Sequence, residues 1–286
     1  MNKRPTFNRF LIPILLMISV IACKKSPTPT DPYTAIQAEF GAQIDPTNLA
    51  NYANQGKPAY ITKDNSAGNN ITDAKATLGR VLFYDKQLSI DNTVSCGSCH
   101  IQKFAFSDTA LASLGVQSGR TGRHSMRLIN ARFSNEFKFF WDERAATLEA
   151  QVLQPIQDSV EMGLTLPALI GRLGSEPFYA PLFTAAFGSP TVTTDRISRA
   201  LAQFIRAIAS TRTPYDAGVG VNFSNFTAEE NLGRRLFNGA IGAATCAQCH
   251  GTDNFSSGPR INNNGLENPY LDKGVGAVSG RAQDEG

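Results

Sequence analysis

Two stretches of one pattern, C-x-x-C-H, decide the fold: Cys96-Gly97-Ser98-Cys99-His100 and Cys246-Ala247-Gln248-Cys249-His250. This spacing is the attachment motif of a c-type haem. Two thiols on one helical turn can add to the two vinyl groups of the macrocycle, and the histidine that follows then lies under the iron as its proximal ligand. The two motifs therefore predict two covalently bound c-type haems.

Two other uses of these cysteines have to be weighed. Four cysteines in an exported protein could form two disulfides, and paired C-x-x-C units could bind zinc. Neither use explains why a histidine directly follows each pair in a chain that has only three histidines. Haem attachment is therefore the favoured interpretation.

An internal repeat accompanies the motifs. The sequence LGRVLF at 78–83 recurs as LGRRLF at 232–237, and a Phe-Ser step follows each motif, at 106–107 and at 255–256. Two copies of one pattern predict two similar units, each with its own pocket. In each copy the apolar side chains share one helical face, which suits packing against a haem edge or a neighbouring helix.

The rest of the pattern is helical. Apolar residues recur at helical spacing from Ile197 to Ile208, and the stretches 143–152, 166–173 and 178–187 are similar. Thr227 and Glu230 predict a capping box at the start of the second leader helix. Strand patterns are sparse. The predicted fold is mainly α, with two cytochrome c-like domains that each carry one covalently bound haem.

The N-terminus is typical of an export sequence. Three basic residues precede the apolar run 10–22, which is too short to span a bilayer and ends at Cys23. The segment predicts a lipoprotein-type signal peptide at 1–22, with Cys23 lipidated and the protein anchored to a membrane of the bacterial cell envelope or periplasm. A plain cleaved signal with a chance cysteine is the alternative. Residues 23–60, rich in proline at their start, are interpreted as a tether.

The composition and net charge bear on whether the protein binds nucleic acid. The chain has 42% apolar and 18% charged residues, which is normal for a globular protein. Its formal charge of +3 falls to 0 when residues 1–22, with three basic and no acidic side chains, are removed. Nothing in this balance indicates nucleic-acid binding.

From about Ala76 onward the chain resembles the bacterial di-haem cytochrome c peroxidases, a family that includes MauG-type enzymes. The resemblance rests on ordered blocks: the leader LGRxLF, the first haem motif, FWDERA at 140–145, QxxxPI at 151–156, VEMG at 160–163 and the second haem motif. It implies an oxidoreductase that reduces hydrogen peroxide to water at the N-terminal haem. Electrons would come from a small cytochrome c or cupredoxin through the C-terminal haem, and a homodimer is compatible with it.

The resemblance also implies residue roles. His100 and His250 are the proximal ligands of the two irons. Trp141, the only tryptophan, matches an electron relay between the haems, the alternative being a buried aromatic anchor. Gln151 and Glu161 match a pair in the peroxide pocket, where a carboxyl group could move a proton between the two oxygens. The implied domains are 61–215, peroxidatic, and 216–286, electron-transferring.

The sequence departs from the family pattern in the loop after the first motif. Where many members have a histidine that ligates the resting iron, this chain has Val116, which cannot bind iron. The first haem is therefore expected to be open to peroxide without reductive activation. His124 stands where the family often has a calcium-binding asparagine. Because calcium prefers oxygen ligands, calcium binding is in doubt. His124 is expected to be an ordinary hydrogen-bonded histidine, with iron ligation as the lesser alternative.

A second departure concerns the distal ligand of the second haem, which is normally a methionine downstream of the second motif. No methionine follows Met162. The expectation is that the sequence is truncated and that the 216–286 domain is incomplete. Two other functions stay open: a MauG-like oxidase acting on a protein or small molecule, and a plain di-haem electron-transfer cytochrome without peroxide chemistry.

Overall fold

A computed structural model describes residues 31, 33–134, 138–241, 245–256, 267 and 269–285. Contacts divide the chain into Met1–Asp31 and Pro32–Gly286, and the helices below belong to the second unit. The predicted signal peptide and Cys23 lie outside the described residues. Within the described part, no helix is long and apolar enough to cross a membrane.

The described chain is helical and contains isolated β-bridges but no named strand, which confirms the mainly α prediction. Short 3₁₀ turns connect several of the helices. The helices, in chain order, are α1 (Thr34–Phe40), α2 (Asp73–Tyr84), α3 (Cys96–Cys99), α4 (Leu148–Gln151), α5 (Gln154–Gln157), α6 (Leu166–Ser175), α7 (Tyr179–Phe187), α8 (Thr194–Ala207), α9 (Pro214–Val219), α10 (Ala228–Phe237), α11 (Ala247–His250) and α12 (Gly276–Ser279).

Threonine caps set where many helices begin. In each case the hydroxyl accepts a hydrogen bond from the N–H group three residues later, which satisfies one of the otherwise unpaired donors of the first turn. The predicted capping box is present: the Glu230 carboxylate accepts the Thr227 N–H at 2.7 Å, and the Thr227 hydroxyl accepts the Glu230 N–H. The other threonine caps are Thr72, Thr147, Thr165, Thr193 and Thr213.

Helix α2, the first leader helix, lies at the centre of the core. It packs against α7 and α8, and its Leu78, Leu82 and Phe83 are fully buried. Helix α1 contributes Ile36 to the same hydrophobic cluster. The segment 23–60, which the sequence suggests is a tether, therefore supplies part of the core.

Gly79 lets α2 and α8 approach closely. A Cβ atom at this position would lie 2.0 Å from the Ala200 carbonyl oxygen and 2.8 Å from the Phe204 Cβ. We expect Gly79→Ala to destabilise the fold by about 1–3 kcal/mol, because backbone would have to move to relieve the overlap. Gly171→Ala is the control, since it lies within α6 with open space around it and should gain about 0.5–1 kcal/mol. Urea unfolding followed by circular dichroism measures both, and equal stabilities would contradict the close approach.

The second leader helix packs differently from the first. Helix α10 buries none of its residues, and Leu232 and Leu236 are 49% and 48% exposed. Their counterparts Leu78 and Leu82 are buried by α8. The repeated sequence thus forms a helix twice, but only the first copy is covered by other described helices. The boundary at 215/216 between two haem domains stays a prediction.

Candidate functional site

The first C-x-x-C-H motif begins with the short helix α3. Ser95 caps this helix, and the Ser98 hydroxyl accepts the Ser95 N–H at 3.0 Å, so a capping box holds the turn. The thiols of Cys96 and Cys99 lie on this turn and are free. Directly after it, His100 Nδ1 lies 2.9 Å from the Phe106 carbonyl oxygen.

The second motif has the same arrangement. Cys246 is the N-cap of α11, Cys246 and Cys249 are free, and His250 Nδ1 lies 3.0 Å from the Phe255 carbonyl oxygen. A carbonyl oxygen only accepts hydrogen bonds, so Nδ1 carries the proton in both histidines. The Nε2 lone pair is then available to a metal, as in metal-binding histidines whose other nitrogen is fixed by a carbonyl.

These residues fit two c-type haems better than the other uses. The described residues contain no group of three or more histidine, cysteine, aspartate or glutamate side chains that could hold a metal ion. A haem needs only one axial ligand from the motif, because the macrocycle supplies four nitrogens. Exposed apolar side chains also lie beside the motifs. The Tyr84 ring packs on Gly97, Leu114 adjoins Cys99, and Phe255 follows His250.

The loop after the first motif carries Val116. A β-bridge between Leu114 and Arg120 closes this loop, and the Val116 N–H lies 3.0 Å from the Val160 carbonyl oxygen. The Val116 side chain is buried in the hydrophobic core. Val116 is therefore an apolar side chain of this loop that packs next to the segment carrying Glu161.

Glu161 lies at the end of a turn that Asp158 organises. The Asp158 carboxylate accepts the N–H groups of Val160 and Glu161, at 2.8 and 3.1 Å. Burial, and then the charge of Asp158, raise the pKa of the Glu161 carboxyl group, and Arg144 partly opposes this. No described side chain donates a hydrogen bond to this carboxylate. It is thus a half-buried acid that is held in place by its backbone.

The segment of Glu161 packs against the loop that follows the first motif, where the Val116 N–H lies 3.2 Å from the Glu161 carbonyl oxygen. Burial raises the pKa of both the Cys96 and the Cys99 thiol, and the negative charge of Glu161 adds to the rise at each. Gln151 is the last residue of α4 and is half-buried. No hydrogen bond in the described part joins Gln151 to Glu161. The structure therefore brings the segment of Glu161 to the loop that follows the first motif, and the roles of Glu161 and Gln151 stay predictions.

Trp141 lies in a tight loop whose base is the bridge between Phe139 and Ala145. Phe140 and Glu143 have positive φ angles, of 72° and 56°, which are strained for residues with a side chain. Trp141 is 53% exposed in the described part of the chain. Its one polar atom, Nε1, donates to the His124 carbonyl oxygen at 2.8 Å.

Both ring nitrogens of His124 have partners. Nδ1 lies 2.9 Å from the Ala110 carbonyl oxygen, and Nε2 lies 3.0 Å from the Ser107 hydroxyl. An iron ligand would need one of these nitrogens free. His124 is accordingly a hydrogen-bonded histidine that joins the loops on either side of it.

We expect His124→Gln to leave the iron ligands unchanged. The substitution removes two hydrogen bonds, so a stability loss of about 1–2 kcal/mol is the anticipated cost. The near-infrared and Soret absorption of the ferric di-haem protein measures ligation directly. Loss of a low-spin signal in this variant alone would show that His124 is a ligand after all.

Sequence reasoning missed two features of the site. One is the pair of carbonyl acceptors for the proximal histidines, although the repeated Phe-Ser step already marked them. The other is an ion-pair network in which Asp142 joins Arg123 and Arg144. Its acidic member belongs to the FWDERA block, but the partner Arg123 lies in a different loop and had no distinguishing pattern.

Two haem-attachment motifs with oriented histidines on a helical fold define a c-type cytochrome. A family model described as di-haem cytochrome c peroxidase matches residues 73–221. The chain belongs to this family.

Two characterised proteins and one crystal structure are similar to this chain over most of its length. The methylamine utilization protein MauG of Methylophilus methylotrophus is 34% identical over 188 residues, which cover 66% of this chain and 55% of that protein. Cytochrome c551 peroxidase of Nitrosomonas europaea is 30% identical over 71% of this chain and 58% of that protein. The crystal structure of a MauG-like protein associated with microbial copper homeostasis matches with a TM-score of 0.70 and 29% identity, covering 82% of this chain and 73% of that one. The chain spans about half the length of the curated relatives it matches.

Proposed function

We propose that this protein is a di-haem cytochrome c peroxidase that reduces hydrogen peroxide to water with electrons from a small cytochrome c or cupredoxin. The observation that carries this proposal is the pairing at the first motif of Glu161, a half-buried carboxyl with a raised pKa, with Val116, which cannot ligate iron. An electron carrier needs neither an acid at its haem nor an open iron. The relatives named cytochrome c peroxidase support the same reaction.

In the proposed reduction of hydrogen peroxide, His100 and Glu161 have separate roles at the first motif. When bound, the haem on Cys96 and Cys99 supplies the iron that passes electrons to peroxide. His100 would hold that iron through Nε2, since Nδ1 is bound to the Phe106 carbonyl. Glu161 would take a proton from one oxygen of hydrogen peroxide and return it to the other, which leaves as water. Two electrons and two protons convert one peroxide into two waters, and a half-buried carboxyl is suited to this proton movement.

Gln151 and Trp141 complete the proposed site. Gln151 would orient peroxide by hydrogen bonding from the end of α4. Trp141 would carry electrons from the haem on Cys246 and Cys249 to the first haem. Its exposed ring and the hydrogen bond to the His124 carbonyl support this role, because the ring is fixed in direction but not enclosed by protein.

A MauG-like oxidase is the second candidate. Two relatives named MauG are 34% and 35% identical to this chain, and an open first site suits both reactions. The two functions differ in what becomes oxidised: a small donor protein in the peroxidase, or another protein or small molecule in the oxidase. A plain electron-transfer cytochrome is disfavoured by Val116 together with Glu161.

We further propose that the protein is exported and held at a membrane of the cell envelope by a lipid on Cys23. The basic start, short apolar run and terminal cysteine of the leader support this. Mass spectrometry of the native N-terminal peptide tests it: an added diacylglycerol on Cys23 is expected, and an unmodified peptide starting after another cleavage point would contradict the anchor.

Stopped-flow absorbance of the di-haem protein mixed with hydrogen peroxide tests the main function. The fully ferric protein should react rapidly without prior reduction, because Val116 leaves the first iron open. Steady-state oxidation of a reduced small cytochrome c by peroxide should follow, which would separate the peroxidase from the oxidase. No reaction in either redox state would leave an electron carrier.

A further inference from the structure

Two links join the loop of Trp141 to the loop of His124. The Trp141 Nε1 donates to the His124 carbonyl at 2.8 Å, and the residues that follow and precede them, Asp142 and Arg123, form an ion pair at 2.6 Å. Neighbouring residues in one loop therefore bind neighbouring residues in the other. Together the two links restrict both the position and the rotation of the Trp141 backbone.

The ion pair is well placed to fix the tryptophan. Asp142 is buried and also accepts hydrogen bonds from Arg144 at 2.8 and 2.9 Å. Arg144 in turn stacks over the Phe140 ring, 3.5 Å from its centroid. The Trp141 ring is half-exposed, and its Nε1 bond to the His124 carbonyl contributes to fixing its direction.

Arg123 also reaches the C-terminal part of the chain. Its Nε and Nη2 atoms donate to the two carboxylate oxygens of Asp272 at 2.6 and 2.7 Å, while Nη1 donates to Asp142. The planar guanidinium group of Arg123 therefore binds Asp272 through two nitrogens and Asp142 through the third. A lysine ammonium group could not reproduce this arrangement. Asp272 follows the second haem motif in sequence, so one side chain ties the Trp141 loop to the chain beyond that motif.

We propose that Arg123 is a positioning residue that fixes Trp141 relative to the part of the chain that follows the second haem motif. By fixing this position, Arg123 sets the rate of electron transfer between the two haems. This inference rests on the proposed function in taking Trp141 as the electron path. When bound, the two haems would supply the donor and the acceptor of one electron, and Arg123 would act on this transfer only by fixing the position of Trp141. Asp142 and Asp272 act through Arg123 and do not themselves transfer the electron.

The test measures electron transfer between the haems without peroxide. The di-haem protein is reduced by a photoexcited flavin, and the redistribution of the electron between the two haems is followed by absorbance. Arg123→Gln should slow this step by about 10–10²-fold, since a misplacement of about 1 Å in a reacting geometry can cost about 10²-fold. Arg123→Lys should fall between this variant and the wild type, because it keeps the charge but not the fork.

Two further variants separate positioning from general damage. Asp272→Asn breaks the link to the C-terminal segment but keeps the Arg123–Asp142 pair, and it should also slow the transfer. Lys273→Gln removes the neighbouring cation, which pairs with Glu285 at 2.8 Å, and should leave the rate unchanged. The rate of reaction of ferric protein with peroxide should stay within about twofold of wild type in Asp272→Asn, since the first motif is untouched.

Unchanged transfer in both Arg123→Gln and Asp272→Asn would overturn the proposal. So would a loss of transfer that appears only together with loss of helical circular dichroism. The outcome is independent of the peroxidase reaction. A protein that fails to consume peroxide but shows Arg123-dependent transfer would refute the proposed function and retain the positioning role.

Discussion

Replacing Glu161 by glutamine should slow the reaction of the ferric protein with hydrogen peroxide by about 10²–10⁴-fold, the range expected when a general acid–base group is removed. Glutamine keeps the size of the side chain and its capacity to hydrogen-bond, but it cannot accept the proton of peroxide. Stopped-flow absorbance at the first haem measures the second-order rate constant. Because the Asp158 turn holds the backbone through main-chain N–H groups, the variant should fold and bind both haems normally.

Glu39→Gln is the matched control, since Glu39 is an exposed residue of α1 and the chemical change is the same. Its rate constant should equal that of the wild type. A rate for Glu161→Gln within about twofold of wild type would remove Glu161 from the proposed proton movement, and would weaken the case for a peroxidase over an electron carrier.

The pH dependence of the same reaction gives a second measurement. Only the ionised carboxylate can accept a proton, so the rate should fall as the pH decreases through the pKa of Glu161. Burial and the charge of Asp158 raise that pKa. The acid limb should therefore begin at a higher pH than for an ordinary glutamate, and it should be absent in Glu161→Gln. An identical acid limb in the variant would assign it to another group.

The parts of the site that were predictable are those in which chemistry fixes residue types at a short spacing. Thioether attachment and axial ligation require C-x-x-C-H, so the two motifs could be found from the sequence alone. The capping box of Thr227 and Glu230 was predictable for the same reason, because both partners lie within one turn. Helical periodicity likewise predicted α6, α7 and α8 to within a few residues.

Other features depend on contacts that a local pattern does not contain. The helix expected over 143–152 begins only at Leu148, because Phe140 and Glu143 adopt positive φ angles that build the Trp141 loop. The Arg123–Asp272 contact joins residues 149 positions apart. The different burial of the two leader helices is also non-local, since α8 covers the first copy and no described helix covers the second.

A buried polar network sets the position of α4, the helix that ends at Gln151. Glu149 of α4 receives hydrogen bonds from the Arg206 guanidinium of α8, with Nη2 to Oε2 at 3.0 Å, and from the Asn69 amide at 2.7 Å. Arg206 is 3% exposed and also donates to Asn65 at 2.8 Å. Gln203 extends the network to the N-cap of α2 by accepting the Thr72 N–H. Helices α2, α4 and α8 are thereby joined at one point.

Arg206→Met should destabilise the fold by about 3–5 kcal/mol, because it leaves the mostly buried Glu149 carboxylate without its cation. Adding Glu149→Gln should recover much of the loss. Arg199→Gln, in the same helix, breaks the exposed pair with Asp195 and should cost less than about 1 kcal/mol. Urea unfolding followed by circular dichroism measures all three. Equal losses for Arg206→Met and Arg199→Gln would contradict a stabilising role for the buried pair.

The stability loss caused by Arg206→Met should also depend on pH. Although burial alone would raise it, the hydrogen bonds from Arg206 and Asn69 lower the pKa of Glu149 below its ordinary value. A carboxyl group with a lowered pKa in the folded state stabilises the protein above its unfolded pKa, near 4.3, and this contribution is lost as the pH falls through the folded value. The stability difference between wild type and Arg206→Met should therefore be full at pH 7, begin to shrink where Glu149 of the variant takes up a proton, and be lost as the pH falls through the lowered pKa of the wild type. A difference that stays constant across this range would mean that the pair contributes through packing of the arginine side chain and not through the charge of Glu149.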